Sequence, residues 1–450
     1  MQFEFGKHFN NSCHTRDRQL IKLLERLDKT QWLFGDELEQ LQLAQLRQLL
    51  GHHTRHSPWM AETLLRDGRN LASITSSLEA WAQFPIATRR DIQTQYAASR
   101  FFSDRVPPSH LPCIEKKSSG STGEPVSVRC TAISRLFWQA ATMRDHFWHR
   151  RETEATLGAV RTNFSGPVSA TNWGAPASLL FKTGPFFGMP SNTDVTKLVE
   201  WLVDTQPGYL LIYPSIWQAI LEHARVQGIA LPRLLQVRTI GETLSDALRQ
   251  QSVQHTGANI ADLYSAEEVG IVALQCPVSG MYHTMAEGVL VEVLRADGSP
   301  CSPGEIGRVV LTDLYNYASP IIRYENGDYA EVGPRCSCGR NLPTLKRIMG
   351  RERNMIRLPD GRRYWPTTGF REFSRVTQVR QYQFIQRTLE AIEVRLVVDE
   401  GPLNKAQEDA LSEIINQWIG HQFFYEFVYF QQAMPRQPSG KFEEFICAIT

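Results

Sequence analysis

Lys117-Ser118-Ser119-Gly120-Ser121-Thr122-Gly123-Glu124-Pro125 is a hydroxyl-rich loop punctuated by glycine. Leu111-Pro112-Cys113-Ile114 precedes it. Val126-Ser127-Val128-Arg129-Cys130-Thr131 follows and alternates like a strand. Backbone N–H groups and short hydroxyls over Ser118, Ser119, Gly120, Ser121, Thr122 and Gly123 can wrap a polyanion with no long side chain in the way. The same composition suits a flexible Ser/Gly turn between strands, and this stretch alone leaves both readings open.

Upstream of the loop, residues 17–50 read as helical. Leu20, Leu23, Leu24 and Leu27, then Leu38, Leu41, Leu43, Leu46, Leu49 and Leu50, recur at helical spacing. Gly51 is a natural stop, and His52, His53 and His56 after it read as a solvated loop, because no cysteine or carboxylate stands at ligand spacing. Pro85 to Asp91 reads as a turn into a helix. Downstream of the loop, residues 133–150 form a helix with Leu136, Phe137, Ala140 and Met143 on one side. From 158 to 240 short apolar strands, such as Tyr209-Leu210-Leu211-Ile212-Tyr213, alternate with helices, for example Ile216 to Val226. That alternation predicts an α/β domain. Residues 285–350 turn β-rich, with strands at 288–294 and 307–312 and turns at Asp297-Gly298 and Pro303-Gly304. After Gly350-Arg351, a strand at 392–398 and an amphipathic helix from Lys405 to Trp418 predict a small α+β domain.

At 450 residues the chain accommodates two or three domains around a large core. A net charge of +1 gives no electrostatic case for nucleic acid or an anionic membrane as partner. Met1 to His8 lacks a basic-then-apolar leader pattern, and no apolar run approaches the roughly 20 residues of a membrane span. Eight cysteines in this length do not make a disulfide scaffold, so a reducing, cytoplasmic setting is expected.

Four further constellations carry chemistry. In Asp262-Leu263-Tyr264-Ser265-Ala266-Glu267-Glu268-Val269-Gly270 an aromatic ring can stack on a base and a carboxylate can hold Mg²⁺ on phosphates. The competing reading is a strand-to-helix turn with Glu267 and Glu268 in the first helical turn. In Arg323-Tyr324-Glu325-Asn326-Gly327-Asp328 an Asp after a tight turn can accept both ribose hydroxyls, or the segment is a plain Asn-Gly turn. Pro435-Arg436-Gln437-Pro438-Ser439-Gly440-Lys441 offers a lysine on a mobile base, able to stabilise charge on an α-phosphate, or simply a surface tail. Cys336-Ser337-Cys338-Gly339 is a knuckle. With Cys276 and His283 it supplies three sulfurs and an imidazole, a closed set suited to structural Zn²⁺, unless Cys276 is core and His283 surface.

In this order, the pieces resemble the adenylate-forming superfamily of acyl-CoA synthetases, peptide-synthetase adenylation domains and luciferases. Ser118 to Pro125 is similar to its phosphate loop, and Gly241-Glu242-Thr243-Leu244 to its adenine segment. Tyr264 to Gly270 is similar to its Tyr-Gly-x-Thr-Glu-x-Gly motif, and Pro320 to Asp328 to its ribose motif. Gly350-Arg351 resembles the domain hinge and Pro435 to Lys441 the closing lysine motif. Within the superfamily, Phe84 to Ile92, Pro320 to Tyr324, Cys336 to Arg340 and the helix before His56-Ser57-Pro58 resemble the phenylacetate-CoA ligase family. Glu124 stands where that family commonly has Lys, Ser265 replaces a usual Gly, and Arg353 and Asn354 occupy a hinge region that is usually acidic.

The resemblance implies an ATP- and acid-binding N-terminal domain over 1–350, built from α/β subdomains and a β-rich module, and a mobile lid over 351–450. It implies ATP-dependent activation of a small-molecule carboxylic acid to an acyl-adenylate, then transfer to a thiol, most often that of coenzyme A. An amine or a carrier-protein thiol is the alternative acceptor, and a non-catalytic nucleotide-binding homologue the alternative class. Implied roles are Lys441 on the α-phosphate, Glu268 on Mg²⁺, Tyr264 beside adenine, and Asp328 and Arg351 on the ribose. Ser265, Ala266 and Glu267 line the nucleotide with Gly241 and Glu242. Cys276, His283, Cys336 and Cys338 are implied zinc ligands. Trp138, Trp173, Phe186 and Tyr213 are acyl-pocket candidates pointing to an aromatic acid, or ordinary core. No nucleic acid or membrane partner is implied, and a monomer or a homodimer is compatible with the pattern.

Overall fold

The computed structural model describes residues 15–117, 125–365, 373, 375–377, 379–398, 401–432, 434–435 and 442–449. The phosphate-loop candidates Ser118 to Gly123, and Lys441, lie outside the described residues. The architecture is mixed α/β, and the chain divides into two compact units. The first comprises residues 1–155, 170–186 and 262–348, and the second 156–169, 187–261 and 349–450.

In the first unit the expected long helix is two helices, Thr15–Thr30 and Gly35–His56. The break is made at Phe34, whose backbone N–H donates to Glu37 Oε2 at 3.0 Å and starts the second helix. Gly51 does not stop that helix. A Cβ there would meet Leu71 Cδ2 at 3.2 Å, so the glycine instead allows close packing. The predicted solvated histidine loop is therefore the last turns of a helix, and His53 is fully buried. Its Nε2 faces the Asn316 carbonyl at 2.9 Å and must carry the proton; Nδ1 then accepts from the Ser103 hydroxyl at 2.9 Å. The leucines at 43, 46, 49 and 50 pack with Trp81, Phe84, Leu290, Leu314 and Ile322.

The β-rich part of this unit has the strand order Val289–Leu294, Ile306–Asp313, Tyr324–Val332, Thr344–Arg351 (up to Ile348), Tyr282–Thr284, Gly270–Gln275, Asn259–Ala266 (from Asp262). Arg323 leads into the third of these with φ +43, which is uncommon for a side-chain-bearing residue. Its guanidinium is buried and grips Glu292 at 2.8 and 3.0 Å. It also donates to the carbonyls of Ala82 (2.6 Å) and Phe84. The helix Ala132–Trp148 is anchored by Arg144, which bonds Glu287 at 2.7 and 3.1 Å and the Leu27 carbonyl at 2.6 Å. Burial alone would raise the Glu287 carboxyl, but Arg144 outweighs burial and holds it below the usual range.

The second unit contains the expected strand–helix alternation. Its sheet runs Gln236–Ile240, Tyr209–Ile212, Leu157–Arg161, Phe186–Pro190, Val168–Ala170. The first three strands are mutually parallel, as crossover helices such as Pro214–Gln227 require. Its C-terminal part is a four-stranded sheet, Phe424–Phe430, Ala391–Val398, Val379–Gln386, Phe445–Cys447, packed on the helix Lys405–Ile419. That helix buries Leu411, Ile415 and Ile419. Among the described residues no helix is long and apolar enough to cross a membrane.

Burial first, and His52 and His56 next, depress His53 from its ordinary 6.5 to about 3. The unfolded chain therefore binds the proton that the folded chain refuses. His53 contributes stability above pH 6.5 that is lost as pH falls toward about 3. Urea titrations across this window should give a stability slope that His53→Gln flattens.

Candidate functional site

The strand Asn259–Ala266 turns directly into Gly270–Gln275, with Ala266 opposite Gly270. The Tyr264–Gly270 motif is thus a β-hairpin tip and not the start of a helix. Gly270 takes φ +84, the left-handed conformation that lets so short a connection close. Ser265 and Glu267 are exposed and Ala266 is half-buried, whereas Tyr264 and Glu268 are buried. The alternation of a strand explains the first part, since successive side chains leave opposite faces.

Asn326-Gly327-Asp328 is not a turn between strands. It lies inside Tyr324–Val332 as a bulge: Glu325 faces Val310 and Tyr329 faces Arg308, so three residues oppose Val309. Gly327, at φ +84, supplies the backbone freedom for it. The Asn326 side-chain oxygen accepts from Asp328 N–H at 3.0 Å and holds the bulge closed.

These two features bring the predicted carboxylates and tyrosine together in the first unit. Tyr264 donates its hydroxyl to Asp328 Oδ2 at 2.8 Å. Asn326 Nδ2 donates to the same oxygen at 2.7 Å and to the Tyr264 hydroxyl at 2.9 Å. The Tyr324 hydroxyl faces Glu268 Oε1 at 3.5 Å. The arrangement offers an aromatic face, a half-buried carboxylate whose orientation is set by two donors, and a second carboxylate at the hairpin tip. Tyr324 and Asn326 carried no assigned role in the sequence reading. Their signal was membership of the same hexapeptide and ribose motif as Asp328, with Tyr324 also closing the Pro320 to Tyr324 segment.

A cavity adjoins the hairpin. Trp138, Phe137, Val269, Ile271, Met285 and Tyr315 line it, together with the Arg144–Glu287 pair. Trp138 is half exposed there. Trp173 is placed elsewhere: it is buried, donates Nε1 to the Ala155 carbonyl at 2.8 Å and lies against His146. Phe186 is half-buried at the start of its strand. In the second unit, Tyr213 is buried with its hydroxyl 3.3 Å from Thr162 Oγ1. Of the four aromatic candidates, Trp138 is the one that lines this cavity.

The adenine-segment and hinge candidates lie in the second unit. Gly241 follows the strand Gln236–Ile240 at φ +74, and Glu242 Oε2 accepts from Ser215 N–H at 2.9 Å. Gly350, at φ +91, has room for no Cβ without pressing Thr243 Oγ1 at 3.0 Å. Arg351 N–H donates to Asn354 Oδ1 at 3.1 Å, and its carbonyl accepts from Trp365 Nε1 at 3.2 Å.

Cys276, His283, Cys336 and Cys338 converge in the first unit, with their donor atoms all within 4.8 Å of one another. His283 is fully buried on the strand Tyr282–Thr284. Its Nδ1 donates to the Leu342 carbonyl at 3.2 Å, which leaves Nε2 as a lone pair 3.2 Å from Cys338 Sγ. Gly339 takes φ +85, and the Cys338 N–H points at Cys336 Sγ at 3.5 Å. This donor set fits a tetrahedral soft-metal site.

The chain is similar to known proteins along most of its length. Residues 370–447 match the CapK C-terminal domain family. A phenylacetate-coenzyme A ligase of Pseudomonas putida is 26% identical over 431 residues, 91% of this chain and 93% of that protein. One from Escherichia coli (strain K12) is 26% identical over 347 residues, 74% and 75% of the two chains. The crystal structure of a 2-hydroxyisobutyryl-CoA ligase in the postadenylation state, in complex with R3-HIB-AMP, superposes with a TM-score of 0.72. At 19% identity, with 92% of this chain and 90% of that one covered, this likeness concerns the fold.

Tyr264→Phe removes one of the two side-chain donors that orient Asp328. Because Asp328 is only half-buried, the expected loss is about 1 kcal/mol of stability. Denaturant titration of the two proteins measures it.

Proposed function

We propose that this chain, whose curated homologues are phenylacetate-coenzyme A ligases, is an ATP-dependent, AMP-forming acid–thiol ligase. The observation that carries the reading is the polar cluster Tyr264, Asn326, Asp328 with Glu268 and Tyr324, built by a hairpin tip and a bulge in one unit. The acid's carboxylate attacks the α-phosphate of ATP, its oxygen forming the new P–O bond as pyrophosphate leaves. The thiol of coenzyme A then displaces AMP from the acyl carbon. Tyr264 flanks the adenine, and the Asp328 carboxylate accepts the ribose hydroxyls, with Arg351 on the same sugar. Ser118 to Gly123 wrap the departing pyrophosphate. Lys441 stabilises the α-phosphate charge of the first step. Glu268 would hold magnesium, which neutralises phosphate charge when bound.

The acid is aromatic in this reading, because Trp138 and Phe137 supply flat apolar walls beside the Glu268 turn. The division into an ATP-binding part over 1–350 and a lid over 351–450 is part of the same proposal. The family match at 370–447 falls within the proposed lid. Cys276, His283, Cys336 and Cys338 would hold a structural zinc ion, whose role is to pin the knuckle to the strand carrying His283.

An ATP–pyrophosphate exchange screen over aryl, fatty and amino acids tests the first step. Adding coenzyme A, a carrier-protein thiol or an amine separates the acceptors. Lys441→Ala should reduce exchange about a hundredfold or more. Exchange stimulated by no acid, or unchanged by that substitution, overturns the reading. For the metal, elemental analysis should return one zinc per chain. Cys336→Ser should lose it and lower the melting temperature without abolishing residual exchange at low temperature.

A further inference from the structure

The residues just after Lys441 are held at three points, all inside the second unit. Phe442 N–H donates to Glu242 Oε1 at 2.8 Å, while the other oxygen of that carboxylate accepts from Ser215 N–H at the first turn of Pro214–Gln227. One carboxylate therefore bridges a helix N-terminus and the segment that follows Lys441, and the helix dipole favours negative charge there. Arg353 grips Glu443 Oε1 through Nη2 at 2.5 Å and Nε at 3.1 Å. Both side chains of this pair are more than four-fifths buried, 18% and 16% exposed, so solvent screens it less than a surface pair. Asn354 Nδ2 donates to the Phe445 carbonyl at 2.7 Å. The Phe442 side chain packs with Val397 and Met434.

We propose that Glu242, Arg353 and Asn354 form a latch that docks the Lys441 segment for adenylation, acting as positioning residues. The inference rests on the reading of Lys441 as the adenylation lysine. The nitrogen of Phe442 is bonded to the Lys441 carbonyl carbon, so anchoring that N–H restrains the backbone from which the lysine extends. Without the anchors residues 442–445 would have to be ordered at each turnover, and that entropy cost falls on the first step alone. Arg353 and Asn354 lie two and three positions after the hinge candidate Arg351. Residues beside the hinge candidates thus touch the segment that follows Lys441, which couples hinge angle to the placement of that segment.

Hydrogen–deuterium exchange of the peptide spanning 442–447 tests the latch without any substrate. Glu242→Ala and Arg353→Glu should each speed its exchange roughly tenfold, the loss expected for one charged hydrogen bond. Combining Arg353→Glu with Glu443→Arg should restore the parent rate. Equal rates in all proteins overturn the latch. In pyrophosphate exchange, with the acid returned by the screen, the single variants should lose about tenfold in turnover at unchanged KM for the acid. Thioester formation from preformed acyl-adenylate should be unaffected in Glu443→Arg alone, a variant that breaks the Arg353 pair without altering the hinge or the adenine segment. Faster deuterium uptake with unimpaired pyrophosphate exchange overturns the positioning role. Measured alongside, Lys441→Ala assigns that failure: if it too leaves pyrophosphate exchange unchanged, the reading of Lys441 has failed.

Discussion

The first unit is organised around the buried guanidinium of Arg323. It cannot be left unpaired, because a buried unpaired charge costs several kcal/mol. It is satisfied by Glu292 on one strand and by the carbonyls of Ala82 and Phe84 on a distant segment. Its own backbone adds two ties. Its N–H donates to Thr312 Oγ1 at 2.9 Å, and its carbonyl accepts from Ala87 N–H at 2.9 Å. The left-handed φ at Arg323 is held only because all of these bonds demand it. One residue thereby sets where Tyr324 begins its strand, and the strand sets Tyr324, Asn326 and Asp328.

The cluster on that strand uses two departures from regular sheet. A plain strand would send Asn326 and Asp328 to one face and Gly327 to the other, in register with the partner strand. The bulge removes that register and turns Asp328 to meet Tyr264, which stands on a hairpin 64 positions earlier. The Arg144–Glu287 pair plays a comparable part for the cavity wall. Its two charges are satisfied by each other, by Thr30 and by the Leu27 carbonyl, so they close a face of the cavity as a neutral unit.

Much of this was legible along the chain. Leucine periodicity predicted buried helix faces at 20–27 and 38–50, and all of those leucines except the half-buried Leu41 are core. Strand–helix alternation over 158–240 predicted an α/β domain, and that stretch folds as parallel strands linked by helices. The Cys-x-Cys-Gly knuckle with Cys276 and His283 predicted a converging donor set. The misreadings have a common origin. His53 looked like loop because histidines after a glycine are locally polar, yet Ser103 and Asn316, far along the chain, supply the bonds that let it be buried. Glu267 and Glu268 fit a helical first turn as well as a hairpin, since local windows of acidic residues serve both.

Residue order and spacing determined the kind of chain this is: mixed α/β, with a phosphate-loop candidate, two carboxylate motifs, a thiol knuckle and a terminal lysine in a set order. These are local properties, carried by side-chain period and by which residues tolerate tight backbone. Tertiary structure alone decided the partners. Glu242 meets Phe442 across 200 positions, and Arg353 meets Glu443 across 90. No window of sequence contains both members of either pair. Whether a carboxylate binds a metal, caps a helix or latches a segment depends on which donors folding brings within about 3 Å of it.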